Sequence, residues 1–163
     1  MTMKKKLWPA YAAGILLTEA VGALSGWLTR GGVQLYAQTI IKPPFSPPGI
    51  VFPIVWTILY ALMGIGAARV YLAPPSAERC LALRAYLLQL CFNFFWSIWF
   101  FGAQWYGFAF LWLLALWCLI LWMREAFDRV DRTASRLQIP YLLWVTFAGY
   151  LNLGVWWLNR CVH

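Results

Sequence analysis

Charged residues are missing from long stretches of this sequence, and those stretches are apolar. No Asp, Glu, Lys or Arg occurs in residues 43–68, 85–123 or 137–159, and residues 7–28 carry only Glu19. A helix needs roughly 20 mostly apolar residues to cross a bilayer. None of these runs shows the period-two alternation of barrel strands. The pattern therefore predicts membrane-spanning helices.

The run 85–123 is long enough to cross a membrane twice, and its middle, 102–107, reads as a tight turn between two helices. We therefore predict a single domain, residues 1–163, folded as an all-α integral membrane protein with a five-helix bundle. Residues 29–50, after the first helix, are too many for a simple connector, so we expect this loop to cap a pocket. The predicted helices cover about 7–28, 51–73, 81–101, 107–124 and 137–158.

Composition and charge agree with a membrane protein. Hydrophobic residues make up 63% of the chain and charged residues 11%, whereas soluble domains carry about 25% charged residues. All of the 13 Lys and Arg residues except Arg30, Lys42 and Arg160 fall on the N-terminal side of the predicted membrane. The positive-inside rule then places the N-terminus in the cytoplasm. The net charge of +8 suits anionic lipid headgroups and requires no nucleic-acid partner.

Residues for metal or acid–base chemistry are scarce. The four cysteines (Cys80, Cys91, Cys118 and Cys161) show no close pairing, and His163 is the only histidine. No nucleophile–His–acid set or phosphate-binding loop can be assembled. We therefore expect neither a metal site nor a required cofactor.

Glu19 is the one acid deep within a predicted span. An ionisable group inside a membrane either serves a function, such as proton coupling, or faces the bundle as a protonated, hydrogen-bonded residue. Gly22 and Gly26 on the same helix form a GxxxG pattern, which permits close packing either within the bundle or between two copies of the chain. The role of Glu19, functional or structural, remains open, and so does the packing partner of the GxxxG pattern.

Aromatic and amide side chains recur on single faces of three predicted helices. Because amides seldom face lipid, these faces should point into the bundle. An interior of indoles and amides would suit a flat aromatic ligand, and it would equally suit plain helix packing in a scaffold. The faces are Trp56, Tyr60 and Met63; Gln89, Asn93, Trp96 and Phe100; and Trp144, Ala148, Leu151 and Asn152.

The predicted loop contains two diprolines, one of them Pro43-Pro44, which favour extended and semi-rigid backbone. Such a segment is suited to act as a lid. Lys42 and Arg30 are the nearest cations. They would pair either with ligand carboxylates or with lipid headgroups.

Three ordered motifs resemble the TspO/MBR family of tryptophan-rich sensory proteins, related to the mitochondrial translocator protein. The first is KPPFSPPG at 42–49, followed by Trp56 and Tyr60; the others lie at 89–101 and 140–152. The resemblance covers residues 22–159. It implies a five-helix bundle in the bacterial inner membrane that acts as a receptor, sensor or transporter-like protein. Loop tryptophans common in the family are replaced here by Tyr36, Phe45 and Ile50, so lid stacking should be weaker or differently placed.

The resemblance also implies a ligand and its site. The expected ligand is protoporphyrin IX or a related lipophilic tetrapyrrole, and a homodimer is a further expectation. Trp56 and Trp144 match two tryptophans linked to light-dependent porphyrin breakdown, which is an alternative, enzyme-like function. A membrane scaffold without a dedicated ligand and a proton-coupled transporter using Glu19 are the remaining alternatives. The expected ligand-binding residues are Trp56, Tyr60, Asn93, Trp96, Trp144, Ala148, Leu151, Asn152, Lys42, Pro43 and Pro44.

Overall fold

Helices form almost all of the structure, which is a computed structural model that describes residues 4–160, with side chains from residue 7 onward. Five helical segments are long and apolar enough to cross a membrane, and no strand occurs in the described residues. The predicted all-α, five-helix membrane bundle is therefore confirmed. The predictions made for Cys161 and His163 lie outside the described residues. The helices are α1 (Lys4–Thr39), α2 (Val51–Leu72), α3 (Ala77–Ser97), α4 (Tyr106–Asp128), α5 (Arg132–Arg136) and α6 (Ile139–Asn159), and a π-helical turn (Ile98–Gly102) continues α3.

The predicted end of the first helix, near residue 28, is wrong. The helix continues through Arg30 and two glycines to Thr39, because no proline interrupts it before Pro43. A Cβ atom on Gly32 would overlap the carbonyl of Phe101. The bare glycine therefore lets α1 pack against the π-helical turn. The irregular segment is only 40–50, so half of the predicted loop is helix.

Two other helices are longer than predicted, because the prediction stopped at charged residues. Helix α3 begins at Ala77, where the Ser76 hydroxyl caps the helix by accepting from the Arg79 N–H at 3.0 Å. Helix α4 continues past Arg124 to Asp128. The turn between them lies where the sequence placed it, and Gln104 adopts a left-handed φ of 58° within it.

Helices α1 and α2 approach each other closely at two glycines. A Cβ atom on Gly14 would lie 2.5 Å from the Gly64 carbonyl oxygen, and one on Gly64 would lie 2.6 Å from the Gly14 carbonyl. One turn along, the Thr18 hydroxyl donates to the Tyr60 carbonyl at 2.7 Å. Of the GxxxG pair, Gly22 packs on the Tyr60 ring within the bundle, whereas Gly26 borders open space.

An ion pair ties α2 to the short helix α5. Arg69 donates to both carboxylate oxygens of Asp131, at 2.8 and 3.2 Å. The same carboxylate accepts from the Ala134 N–H at 2.8 Å and so caps α5. Burial raises the pKa of Asp131, but the hydrogen bonds from Arg69 and Ala134 outweigh it, so the pKa stays below its ordinary value. The carboxylate thus remains charged at neutral pH and fixes the start of the last span.

We expect Gly64→Val to lower the free energy of unfolding by roughly 1–3 kcal/mol, because the added side chain would force α1 and α2 apart. The matched control is Gly26→Val, where a Cβ atom has no neighbour within 4 Å. Thermal unfolding of the purified proteins in detergent measures the difference. Equal stability of the two variants would contradict the close packing at Gly64.

Candidate functional site

One end of the bundle contains a cavity of about 700 Å³ enclosed by α1, α2, the α3–π segment and α6. The irregular segment 40–50 contributes Lys42, Ser46, Pro47 and Gly49 to its lining. This volume lies within the range of about 300–1,000 Å³ typical of small-molecule sites. The lining is mainly apolar, with a few polar groups. The cavity is therefore the candidate ligand site.

Most of the predicted site residues line this cavity, but four do not. Those that line it are Lys42, Trp56, Tyr60, Trp96, Trp144, Ala148 and Leu151. Asn93 and Asn152 lie behind the wall and form hydrogen bonds with lining residues. Pro43 and Pro44 belong to the irregular segment and contact α6 instead.

Tryptophan rings form three parts of the wall. Trp56 stacks on Tyr60 with 5.3 Å between ring centroids, and Trp96 stacks on Phe100 at 5.1 Å. Trp144 meets Phe52 edge-on at 5.8 Å. These contacts hold each indole in one orientation. Indole rings held in this way can stack on a flat aromatic molecule.

A layer of buried hydrogen bonds lies beneath Tyr60. The Tyr60 hydroxyl donates to Asn93 Oδ1 at 2.7 Å, and Asn93 Nδ2 donates to the Tyr141 hydroxyl at 3.0 Å. The Tyr141 hydroxyl donates to Gln89 Oε1 at 2.9 Å. Asn93 and Gln89 are fully buried, as the sequence predicted for amides within a span. Asn93 therefore supports the tyrosine that borders the cavity.

Asn152 supports the wall in a similar way. Its Oδ1 atom accepts from the Trp96 indole N–H at 3.2 Å, and its Nδ2 atom donates to the Tyr106 carbonyl at 2.8 Å. The amide thus links α6 to both α3 and α4. It also sets the angle at which Trp96 faces the cavity.

The irregular segment 40–50, here called the lid, is fixed to α6 by two residues that were not predicted from the sequence, Asn159 and Tyr150. Asn159 accepts from the Ile41 N–H at 3.1 Å and donates to the Ile41 carbonyl at 2.9 Å. The Tyr150 hydroxyl donates to the Pro44 carbonyl at 2.9 Å. Asn159 lies seven residues after Asn152, on the same helix face, and this spacing was the available signal.

The first diproline of the lid contacts α6 and not the cavity. Pro43 is buried against Gly154, where an added Cβ atom would lie 2.6 Å from the proline ring. The residues that replace loop tryptophans of the family differ in their placement. Phe45 is 87% exposed, whereas Tyr36 belongs to α1, borders the cavity and packs on Phe101. Of the three residues at these positions, Tyr36, Phe45 and Ile50, only Tyr36 lines the cavity.

The basic and acidic residues that border the cavity lie at opposite ends of it. Arg30 and Lys42 border its mouth, and Glu19 borders the other end. Arg30 lies eleven positions after Glu19 on α1, which corresponds to about 16.5 Å along the helix. Across residues 7–160, no group of three His, Cys, Asp or Glu side chains could hold a metal ion. The available chemistry is stacking, hydrogen bonding and charge pairing.

Comparison with known proteins identifies similar sequences across nearly the whole chain. The model of the TspO/MBR family matches residues 14–158. The "Tryptophan-rich protein TspO" of Chlorobaculum tepidum is 37% identical, covering 96% of this chain and 98% of its own length. The "Translocator protein" of Bos taurus is 34% identical, covering 94% and 92%. The "Tryptophan-rich sensory protein" of Cereibacter sphaeroides is 38% identical over 72% and 73%.

We expect Asn159→Ala to loosen the lid, because both hydrogen bonds to Ile41 are lost. Amide exchange at Ile41 should accelerate roughly tenfold, which corresponds to about 1.4 kcal/mol for the two bonds. Asn159→Asp keeps the acceptor and loses the donor, so its effect should be intermediate. Hydrogen exchange read by mass spectrometry tests this, with the turn 102–107 as internal control. Equal acceleration in the lid and in that turn would show general destabilisation.

Proposed function

Because the chain belongs to the TspO/MBR family, we propose that it is a membrane receptor or sensor, or a transporter-like protein, for tetrapyrroles such as protoporphyrin IX. The observation that carries the proposal is a single cavity bordered by Trp56, Trp96 and Trp144. A macrocycle is flat and aromatic, so it can stack on indole rings. No required cofactor is part of this proposal.

The cations at the mouth favour a ligand with carboxylates. Arg30 lies 5.0 Å from the Trp27 ring, and Lys42 donates to the Ala37 carbonyl at 3.3 Å. Both side chains are exposed, so they can turn towards an anion at the opening without breaking a buried contact. A ligand with its ring between the tryptophans would place propionate groups beside these cations.

We further propose a membrane for the protein and the side of that membrane on which the cavity opens. The chain is a multi-pass membrane protein by its five spans and its family. We place it in the bacterial inner membrane with the N-terminus in the cytoplasm, because the basic residues concentrate on that side. The cavity would then open away from the cytoplasm. Membrane lipids are the expected surroundings, and a homodimer remains part of the proposal.

A dark titration with protoporphyrin IX tests the binding function. We expect saturable quenching of tryptophan fluorescence. Trp144→Ala should raise the Kd about two- to tenfold through lost stacking. Ala148→Thr should also raise the Kd, because Ala148 borders the cavity beside Trp144. The matched control is Trp122→Ala, since Trp122 is exposed and lies outside the lining.

Affinity is read from the midpoint of the titration, since each substitution also removes a fluorophore. Linear quenching in every variant would show partition into detergent only and would contradict the proposed site. Lost thermal stability without any response to ligand would favour the scaffold alternative.

A second candidate function is the breakdown of bound porphyrin by light and dioxygen. It is favoured by one observation, that both Trp56 and Trp144 border the same cavity. The excited porphyrin and dioxygen would be the reactants, and the indoles would act as nearby redox partners. Acid–base groups would not be required.

We expect Trp144→Phe to retain porphyrin binding in the dark and to slow the loss of porphyrin absorbance under illumination in air. The parent protein kept in the dark, and the parent illuminated without oxygen, are the controls. A variant that destroys porphyrin as fast as the parent would exclude the indole at this position as a redox partner.

A further inference from the structure

The inner end of the cavity brings Glu19 close to Tyr60. Thr18, next to Glu19 in sequence, donates to the Tyr60 carbonyl at 2.7 Å, and Gly22, one turn later, packs on the Tyr60 ring. Glu19 therefore lies at the level of Tyr60, and both residues border the cavity. Among the described residues, no cation lies within ion-pair distance of Glu19. The carboxyl group is thus open to a partner from the cavity.

The hydrogen-bond chain beneath Tyr60 runs in one direction, and its far end sets that direction. The chain ends at the Met63 thioether, 3.8 Å from Gln89 Nε2, and a thioether can only accept. Gln89 therefore turns its oxygen to Tyr141, whose single hydroxyl hydrogen is donated to it. Tyr141 can then only accept from Asn93 Nδ2. Asn93 consequently presents Oδ1, which takes the hydroxyl hydrogen of Tyr60.

It follows that the Tyr60 hydroxyl has no hydrogen left to donate to a ligand, so towards a ligand it can act only as an acceptor. A glutamate side chain in its ionised form likewise only accepts. We propose that Glu19 and Tyr60 form an acceptor subsite that selects ligands with a cationic or hydrogen-bond-donating group at their inner end. This inference concerns the cavity of the proposed function and names the chemistry of its inner end.

Charge pairing supports the subsite. An ionised carboxylate within a membrane is costly unless it is paired, and a ligand ammonium group supplies the partner that the described residues do not. The mouth, with Arg30 and Lys42, has the opposite preference. A ligand with both kinds of group would therefore bind in one orientation, with its donor inward and its acid outward.

The test compares two anthracene probes of similar size in nanodiscs that contain the full chain and phosphatidylcholine. One probe, 9-(aminomethyl)anthracene, carries an ammonium group; the other, 9-ethylanthracene, is neutral. After subtraction of binding to empty nanodiscs, the parent should bind the ammonium probe at least tenfold more tightly. Glu19→Gln should remove most of that preference, measured as the ratio of the two affinities. The matched control is Glu125→Gln, because Glu125 is exposed and pairs with Arg129 outside the cavity.

A second variant tests the role of Tyr60 separately. Met63→Leu removes the thioether acceptor. The series of hydrogen bonds beneath Tyr60 can then reverse its direction, and the Tyr60 hydroxyl can donate into the cavity. The affinity for 9-anthraldehyde, whose carbonyl only accepts, should then increase at least threefold relative to the parent. An unchanged affinity for the aldehyde would overturn the assignment of Tyr60.

The remaining outcomes separate this inference from the proposed function. An ammonium preference that persists in Glu19→Gln, or that falls equally in Glu125→Gln, would overturn the subsite even if protoporphyrin IX binds. Conversely, an ammonium preference lost only in Glu19→Gln would support the subsite, even if protoporphyrin IX did not bind.

Discussion

Buried amides that have no water to bond with constrain this bundle most strongly. Within a membrane, each polar group needs a partner inside the protein. Asn93 and Asn152 meet this need by bonding to aromatic side chains of neighbouring helices. The same bonds that satisfy the amides therefore fix Tyr60 and Trp96 at the cavity. Helix packing and the shape of the site depend on one set of contacts.

The sequence was sufficient for the spans and for the faces of the helices. Long charge-free runs identify membrane helices, since lipid excludes unpaired charges. Amides such as Gln89 mark an interior face for a related reason. The cavity wall at Trp56 and Trp144 followed from helical spacing together with three motifs. These predictions depend on local composition and on the period of a helix, both of which can be read from a single chain.

The remaining features depend on contacts between distant segments. A glycine pair looks like a helix end, yet α1 continues through Gly32, which packs against the Phe101 carbonyl of the π-helical turn. Asn159 looks like the end of a span, yet it binds the backbone of Ile41. Asn93 matched a pocket position by motif, yet it lies one layer behind Tyr60. In each case the decisive partner is far away in sequence, so no local pattern reports it.

The length of α1 has a consequence for where a ligand resides. Its 36 residues extend about 54 Å, whereas the hydrocarbon core of a bilayer is about 30 Å thick. Tilt would absorb only part of this excess length, so the last turns of α1, including Tyr36, would lie among the lipid headgroups. The cavity would then straddle the boundary between hydrocarbon and headgroups. An amphiphile bound there would keep its apolar part at the depth that it has in the free bilayer, and its polar edge would stay hydrated.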